Sequence, residues 1–280
     1  EDIFEAIQLA LNEDVILVAY GDMLRVPVNV PRCEARSLEA ARARGADIRP
    51  IASPTQAADI ARTNPGKPVI FFAAGFETTT APTAALLVDG IPDTLFVLLS
   101  GRLTWPAVAL LLDSDTPGFD ALVAPGHVAT VMGPEEWEFV VNQHGIPAAV
   151  AGFNADSLLA AMYSTLRQLI EGHRFLDNCY PELVKPGGNP TARKHLHTSM
   201  DITDANWRGV GIIPDSGYAL NTAYQAHDAR HAFSSYADDA RKRAGEMPPG
   251  CDCAKVVLGK IYPNECRLFG VGCNPRNPIG

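Results

Sequence analysis

The sequence predicts an α/β protein: two doubly wound parallel-sheet lobes with a small cysteine-rich domain appended. Three observations predict it. Through the first 172 residues, strand-length runs that are apolar throughout alternate with helix-like segments, as in parallel sheets covered on both faces. A chain of 280 residues has room for about two domains. Four of the six cysteines fall in the last thirty residues, in a turn-rich stretch too short to build a core without a staple such as a metal.

The elements follow in order. Residues 3–11 are amphipathic, and 15–20 form a short apolar run. Residues 34–44, rich in Ala, Arg and Glu, read as helix. A second helix over 55–62 is ended by Asn64-Pro65-Gly66. An apolar strand spans 68–74, then a helix 83–88, a strand 94–99 and a helix 105–112. A strand at 119–124, a helix at 135–144, a strand at 148–151 and a long helix at 156–172 complete the alternation. Right-handed crossovers are expected throughout.

After residue 172 the texture changes. Residues 179–190 are rich in Pro, Gly and Asn and read as loop, 223–243 are polar and helical, and 245–250 resemble a linker with Pro248-Pro249. The expected division is a first lobe at 1–103, a second lobe at 104–172, a connection at 173–245 that packs on both, and a metal-binding domain at 246–280.

Composition narrows the function. Hydrophobic residues make up 47% and charged residues 20%, the balance of a chain that buries a core. Lys and Arg number 23 against 32 Asp and Glu, a net charge of −9. Without a basic stripe, such a chain is a poor partner for nucleic acid or an anionic membrane. No apolar run has the length of a membrane span. The chain opens Glu1-Asp2 without a signal-peptide pattern. Its one Asn-x-Thr triplet, Asn189-Pro190-Thr191, is blocked by proline. The expected location is the cytoplasm.

The strongest chemical signal is the set Cys251, Cys253, Cys266 and Cys273. Four thiolates suit an iron–sulfur cluster or a structural zinc. Neither pair has the Cys-x-x-Cys spacing of a zinc ribbon, which favours iron–sulfur modestly. Cys33 and Cys179 stand apart and read as small buried hydrophobes. Four strands end in related turns: Tyr20-Gly21-Asp22, Gly75-Phe76-Glu77, Pro125-Gly126-His127 and Gly152-Phe153-Asn154. Ligands of open parallel sheets bind beyond the carboxyl ends of strands, so these turns are expected to converge on one cleft.

Within them, Glu77, Thr78, Thr79 and Thr80 offer carboxylate and hydroxyl groups for a ligand, a metal or proton transfer, or alternatively a helix cap. His127 offers a base, a ligand or a donor. Asp22 and Arg25, three apart on one turn, read first as a local ion pair. Other patterns fail. His227 and His231 are four apart but lack the glutamate of a zinc-protease motif, so a solvated face is expected. Gly209-Val210-Gly211 starts like a dinucleotide fingerprint, with Pro214 in place of the third glycine. There is no phosphate loop and no Gly-x-Ser-x-Gly elbow.

Taken together, Tyr20-Gly21-Asp22-Met23-Leu24-Arg25-Val26-Pro27, Gly75-Phe76-Glu77-Thr78-Thr79, Pro125-Gly126-His127-Val128, Gly188-Asn189-Pro190, Trp207-Arg208-Gly209-Val210-Gly211-Ile212-Ile213-Pro214 and the terminal cysteines occur in an order that resembles the HypD family. HypD proteins are scaffolds in the maturation of nickel–iron hydrogenases. The resemblance covers nearly the whole chain. It implies two α/β lobes and a small iron–sulfur domain, with a 4Fe-4S cluster on Cys251, Cys253, Cys266 and Cys273. It implies a HypC-like small chaperone and a HypE-like cyanide donor as partners. The cargo is a transient iron that receives two cyanides and one carbon monoxide. Such a chain is a redox-active metallocentre assembly factor rather than a conventional enzyme. Glu77, Thr78, Thr79 and His127 would line the assembly cleft, with Asp22 and Arg25 on the neighbouring turn.

The sequence departs from that pattern in several places. The family's N-terminal Cys-Gly-His-Thr-His-like and Gly-Pro-Gly-Cys-Pro-x-Cys motifs are absent, and truncation or disorder of the natural N-terminus is the simplest account. A stretch that is usually Ser-x-His reads Ser100-Gly101-Arg102, and the second Gly-Phe-Glu-Pro turn reads Gly152-Phe153-Asn154-Ala155. Thr80 looks like an insertion. These changes keep open a divergent, non-catalytic scaffold whose cluster or zinc is structural. A small-molecule α/β enzyme on a borrowed scaffold is the third reading.

Overall fold

The computed structural model describes residues 1–280 except 29, 31–33, 114–117, 244–248, 275–278 and 280. Cys33 and most of the expected linker at 245–250 therefore lie outside the described residues. The chain opens with α1 (Asp2–Asn12), β1 (Ile16–Tyr20) and a 3₁₀ turn (Gly21–Arg25). Then come α2 (Leu38–Ala43), β2 (Ile48–Ile51), α3 (Pro54–Thr63), β3 (Val69–Gly75), α4 (Glu77–Asp89), β4 (Leu95–Arg102) and α5 (Thr104–Leu112). The second unit holds β5 (Leu122–Pro125), α6 (Gly126–Met132), α7 (Glu138–Asn142), β6 (Ala148–Ala151), α8 (Ala155–Glu171) and β7 (Leu176–Asn178). The chain returns through α9 (Pro190–Ser199), β8 (Met200–Trp207), β9 (Gly211–Leu220), α10 (Ala229–Ala232) and α11 (Ser234–Arg243) to α12 (Cys253–Val257).

Six strands form one sheet in the order β2-β1-β3-β4-β9-β8, and three form another in the order β5-β6-β7. The parallel registers of β2, β1, β3 and β4 and of β5, β6 and β7 match the predicted class. Period-two alternation explains why the central strands read as apolar throughout. Ile16, Val18, Phe71, Val97 and Leu99 face a core closed by α3, α4 and α9. Leu17, Ala19, Ile70, Phe72 and Leu98 face a second core closed by α1 and α2. Neither face of these strands meets water, so no polar residue is required between the apolar ones.

Three expectations need correction. The segment 173–245 is not only loop and helix: β8 and β9 form an antiparallel hairpin that extends the large sheet, with Gly101 opposite Tyr218 and Arg102 opposite Gly217. The large sheet is therefore mixed. The hairpin lies at the edge of the sheet, and the run of wet residues along β8 and the irregular burial of β9 hid it. The stretch 227–231 is a solvated face only in part: His231 is exposed, but the rest is buried or half-buried. His227 Nδ1 lies 3.0 Å from the Leu95 carbonyl, and Arg230 is half-buried in an ion network. Cys179 is half-buried rather than buried, and burial followed by the field of Asp177 pushes its thiol up to about 11. Among the described residues, no helix is long and apolar enough to cross a membrane.

Candidate functional site

The strand order 2-1-3-4 reverses direction between β1 and β3, and open α/β sheets place ligands at such a switch point. A cleft of about 950 Å³ opens there. Met23, Val26 and Val28, after β1, form one wall; Gly75 and Phe76, at the end of β3, form the floor edge. Ser100 and Arg102 come from the end of β4, and Trp207 and Arg208 from the β8–β9 turn. The Phe76 and Trp207 rings pack with centroids 5.9 Å apart. Gly75 has φ +153°, and a Cβ there would sit 2.6 Å from the Thr79 Cβ. Only glycine lets β3 turn this tightly into α4.

The polar side of the cleft is organised by arginines. Arg102 donates to Asp2 Oδ2 at 2.9 Å and to the Asn206 carbonyl at 3.2 Å. Ser100 donates to the same Asp2 oxygen at 2.5 Å. Arg208 donates to the Pro27 carbonyl at 2.8 Å and to the Ile279 carbonyl at 2.6 Å, which joins the cleft wall to the C-terminal segment.

The predicted site residues are distributed differently from the single cleft expected. Only the turns after β1 and β3 reach the large cleft, because β5 and β6 belong to the other sheet. Asp22 accepts from the Met23 N–H, and exposed Arg25 pairs with Glu39 at 3.6 Å rather than with Asp22. Thr78 and Thr79 are half-buried in the first turn of α4. The buried Thr80 hydroxyl donates to the Phe76 carbonyl. Glu77 is fully buried and accepts from the Thr104 N–H at 2.6 Å and the Thr104 hydroxyl at 2.7 Å. Its carboxylate anchors the start of α5, the neighbouring helix, instead of facing the cleft.

Burial also pushes the Glu77 carboxyl above its ordinary range, against the pull of the Thr104 donors. Nearby Glu136 is raised to about 8 by burial and then by the field of Glu77, with Arg193 opposing. One Glu136 oxygen is buried and without a hydrogen-bond partner. Burial raises Tyr218 as well, followed by the fields of Glu77 and Glu136.

His127 sits at the carboxyl edge of the small sheet. Its ring lies 4.7 Å from that of Phe153 and 5.9 Å from that of Tyr180, and its buried Nδ1 has no hydrogen-bond partner. Gly126 makes this packing possible: a Cβ there would lie 2.5 Å from the Ala151 carbonyl oxygen. Because that contact is backbone, Gly126→Ala is expected to cost about 1–3 kcal/mol or more, visible as a lower midpoint in urea unfolding. An unchanged midpoint would show that β5 and β6 can part without cost. The Gly188-Asn189-Pro190 motif is structural. Asn189 Oδ1 accepts from the Thr191 and Ala192 N–H groups to start α9, and a Cβ on Gly188 would meet the Gly133 nitrogen at 2.5 Å.

The four terminal cysteines gather around short turns. Burial raises the Cys253 thiol first, and the fields of Cys251, Cys273 and Cys266 add to it while Arg208 opposes. Cys266 is lowered by backbone N–H donors from Asp252, Leu268 and Phe269. The Ile279 N–H reaches Cys273 Sγ at 3.4 Å. Cys253 feels the other three thiols, and N–H donors reach Cys266 and Cys273, surroundings of a kind that suit thiolate ligands. Among the described residues, however, no group of three or more His, Cys, Asp or Glu side chains converges tightly enough to hold a metal ion. The four cysteines of the expected iron–sulfur domain lie half-buried in these C-terminal turns, and the described residues show no formed metal site there.

The profile of the HypD family, described as "Hydrogenase formation hypA family", matches residues 1–280. The chain belongs to the HypD family. It is 37% identical to a protein of Rhodobacter capsulatus named hydrogenase maturation factor HypD, over 99% of this chain and 73% of the relative. A protein of the same name from Azotobacter vinelandii is 36% identical over 98% of this chain and 73% of its own length. The Escherichia coli K12 protein of that name is 35% identical over 98% and 72%.

For this member of the HypD family, sequence reasoning missed three contributors to the site. Arg102 was visible only as a departure from a pattern, although a strand-end arginine after Ser100-Gly101 was a usable signal. Arg208 lay inside a recognised motif, but nothing local indicated that it bridges the cleft and the tail. Glu136 gave no signal, since its environment is set by Glu77, far away in the chain.

Proposed function

We propose that the chain is a hydrogenase maturation factor, a scaffold on which the Fe(CN)2CO centre of nickel–iron hydrogenase is assembled with a HypC-like small chaperone and a HypE-like cyanide donor. The observation that carries this reading is the family match over residues 1–280, with relatives named as hydrogenase maturation factors. In this reading Cys251, Cys253, Cys266 and Cys273 hold a 4Fe-4S cluster. When bound, the cluster supplies single electrons for the assembly chemistry.

The chain's own groups do the rest. The N–H donors on Cys266 favour its thiolate. Arg208 keeps the tail against the cleft wall. The apolar walls of Met23, Val26, Phe76 and Trp207 exclude water from the iron cargo, while the remaining N–H groups of Arg102, held in place through Asp2, are donors suited to cyanide nitrogen. Thr78 and Thr79, in the first turn of α4, are proposed to orient the diatomic ligands or carry protons; His127, at the edge of the other sheet, takes no part in this cleft. Glu77 acts by positioning Thr104. Asp22 and Arg25 shape the turn beside the cleft.

The test is anaerobic purification of the full-length natural protein, followed by iron and acid-labile sulfide analysis. About four of each per chain are expected, with both lost in Cys266→Ser together with hydrogenase maturation in a complementation assay. Colourless, sulfide-free protein would overturn the assignment. Bound zinc without sulfide would favour the non-catalytic scaffold.

A further inference from the structure

Strand β9 carries a surplus of residues against its partner. Thr203 of β8 stands opposite Gly217, and Ala205 stands opposite Ile213. Pro214, Asp215 and Ser216 together therefore face the single residue Asp204. A surplus of this kind bends a strand and re-aims a side chain. The bulge is held on both sides. The Asp204 carboxylate accepts from the Asp215 N–H at 3.1 Å, and the Leu103 N–H donates to the Ser216 carbonyl at 2.9 Å. Asp215 has φ +51°, the left-handed region, which aspartate tolerates better than most residues. Gly217 closes the bulge, since a Cβ there would lie 2.7 Å from the Ala205 Cβ.

The side chain that the bulge re-aims is Ser216, which is fully buried. Its hydroxyl donates to the Ile213 carbonyl at 2.7 Å and accepts from the Trp207 Nε1–H at 2.8 Å. The single hydroxyl proton is committed to Ile213, so lone pairs face the indole, and an indole N–H can only donate. The bond thus has one polarity and fixes one orientation of the ring. Trp207 lines the large cleft and packs on Phe76 with 37° between the rings. Arg102, opposite Gly217 at the end of the bulge, lines the same cleft. Unusual backbone conformations of this kind gather at functional sites.

We propose that Ser216 is a positioning residue: its hydroxyl holds the Trp207 indole against Phe76 as the aromatic wall of the cleft. Trp207 touches the cleft, and Ser216 acts through it. Without the hydroxyl, the indole N–H loses its acceptor, and the ring turns toward water to regain one. The wall then admits water to the cleft. What the wall encloses rests on the maturation reading; the coupling of Ser216 to Trp207 does not.

The test uses full-length protein with isotope-labelled tryptophan indole nitrogens, followed by NMR. The Trp207 signal is assigned by its absence from Trp207→Phe. Ser216→Ala is expected to shift that signal alone and to speed its hydrogen exchange about fivefold, while the other indole signals stay in place. Hydrogenase maturation in a complementation assay is expected to fall about tenfold or more in Ser216→Ala and in Trp207→Phe, and by no greater factor in the double variant. An unmoved Trp207 signal overturns the proposal. So does a moved signal with maturation unchanged. A double variant that falls by the product of the two single factors also overturns it, because Ser216 then acts by another route. Shifts spread over every indole make Ser216 a general packing residue and overturn it too. Ser216→Cys, close in size and only a weak acceptor, repeats each measurement should the alanine variant melt far below wild type, and the same outcomes decide. Wild-type protein that matures no hydrogenase counts against the maturation reading, and the indole signals then decide the coupling alone.

Discussion

Replacing Arg230 by alanine is expected to cost about 3–5 kcal/mol of folding stability, the penalty for removing one member of a buried ion network. Arg230 donates to Asp2 Oδ1 at 2.7 Å, to Glu5 Oε2 at 3.0 Å and to the Leu99 carbonyl at 2.7 Å. Asp2 is shared with Arg102 and Ser100. Glu5 is 3% exposed at its side chain, and its other oxygen already lacks a hydrogen-bond partner. Without Arg230, Glu5 retains a buried carboxylate with no compensating charge, and the end of β4 loses a donor. Because domains are stable by only about 5–15 kcal/mol, this loss removes a large fraction of the total.

The two carboxyls respond to pH in opposite directions. Burial works to raise Asp2, but Arg230 and Arg102 outweigh it and hold it below the ordinary range. The stability it contributes is present above the ordinary carboxylate pKa and is lost as pH falls through the lowered native value. Burial dominates at Glu5 and raises it despite Arg230, so its ionisation weakens the fold as pH rises through that raised value. Glu5→Gln in the Arg230→Ala background should therefore recover part of the loss near neutral pH. Urea unfolding at several pH values checks this. A loss under about 1 kcal/mol for Arg230→Ala would place the network among surface pairs that contribute little.

How much of this was legible in the sequence depends on which forces act locally. Strands β1, β3 and β4 were legible because both faces are covered, leaving continuous apolar runs such as Val69–Gly75 with no alternative reading. Strand β2 was not, because it is an edge strand of four residues carrying Arg49 and Pro50. The hairpin of β8 and β9 lacks a regular burial alternation, with a run of wet positions on β8 and Pro214 and Gly217 within β9, which read as loop. At the site, the glycine turns marked the carboxyl edges, since the need for a missing Cβ at Gly75 or Gly126 is written into the residue itself. The direction in which Glu77 points was not legible: a first-turn carboxylate can face a cleft or cap a neighbouring helix, and the choice is made by Thr104, brought in by tertiary packing. The same holds for α8. Its apolar periodicity announces an amphipathic helix, and only the small residues of β6 reveal that the apolar face is turned outward.

Glu136→Gln is expected to stabilise the protein at alkaline pH, by roughly 3–5 kcal/mol at pH 8.5 if the native shift is fully realised. The native Glu136 carboxyl is raised to about 8 from an ordinary value of 4.5, first by burial and then by Glu77. Between those values the native state retains a proton that the unfolded chain releases. Stability must then fall as pH rises across that window and level off above about pH 8. Glutamine carries the neutral shape without the option to ionise, so the variant should show a flatter stability profile over the same range and diverge from wild type progressively above pH 5. Glu77 does not reproduce the effect in full, because the Thr104 N–H and hydroxyl stabilise its carboxylate, whereas one Glu136 oxygen is buried with no donor. Denaturant midpoints measured from pH 5 to 9 decide the matter. Parallel curves for wild type and Glu136→Gln would mean that water or Arg193 already satisfies the ionised carboxylate, and the raised value would have to be abandoned. Divergent curves would establish a protonated glutamate at neutral pH, packed against Tyr218 and the Glu77 anchor of α5, and would show that its neutrality lets two carboxyls share this packing without repulsion.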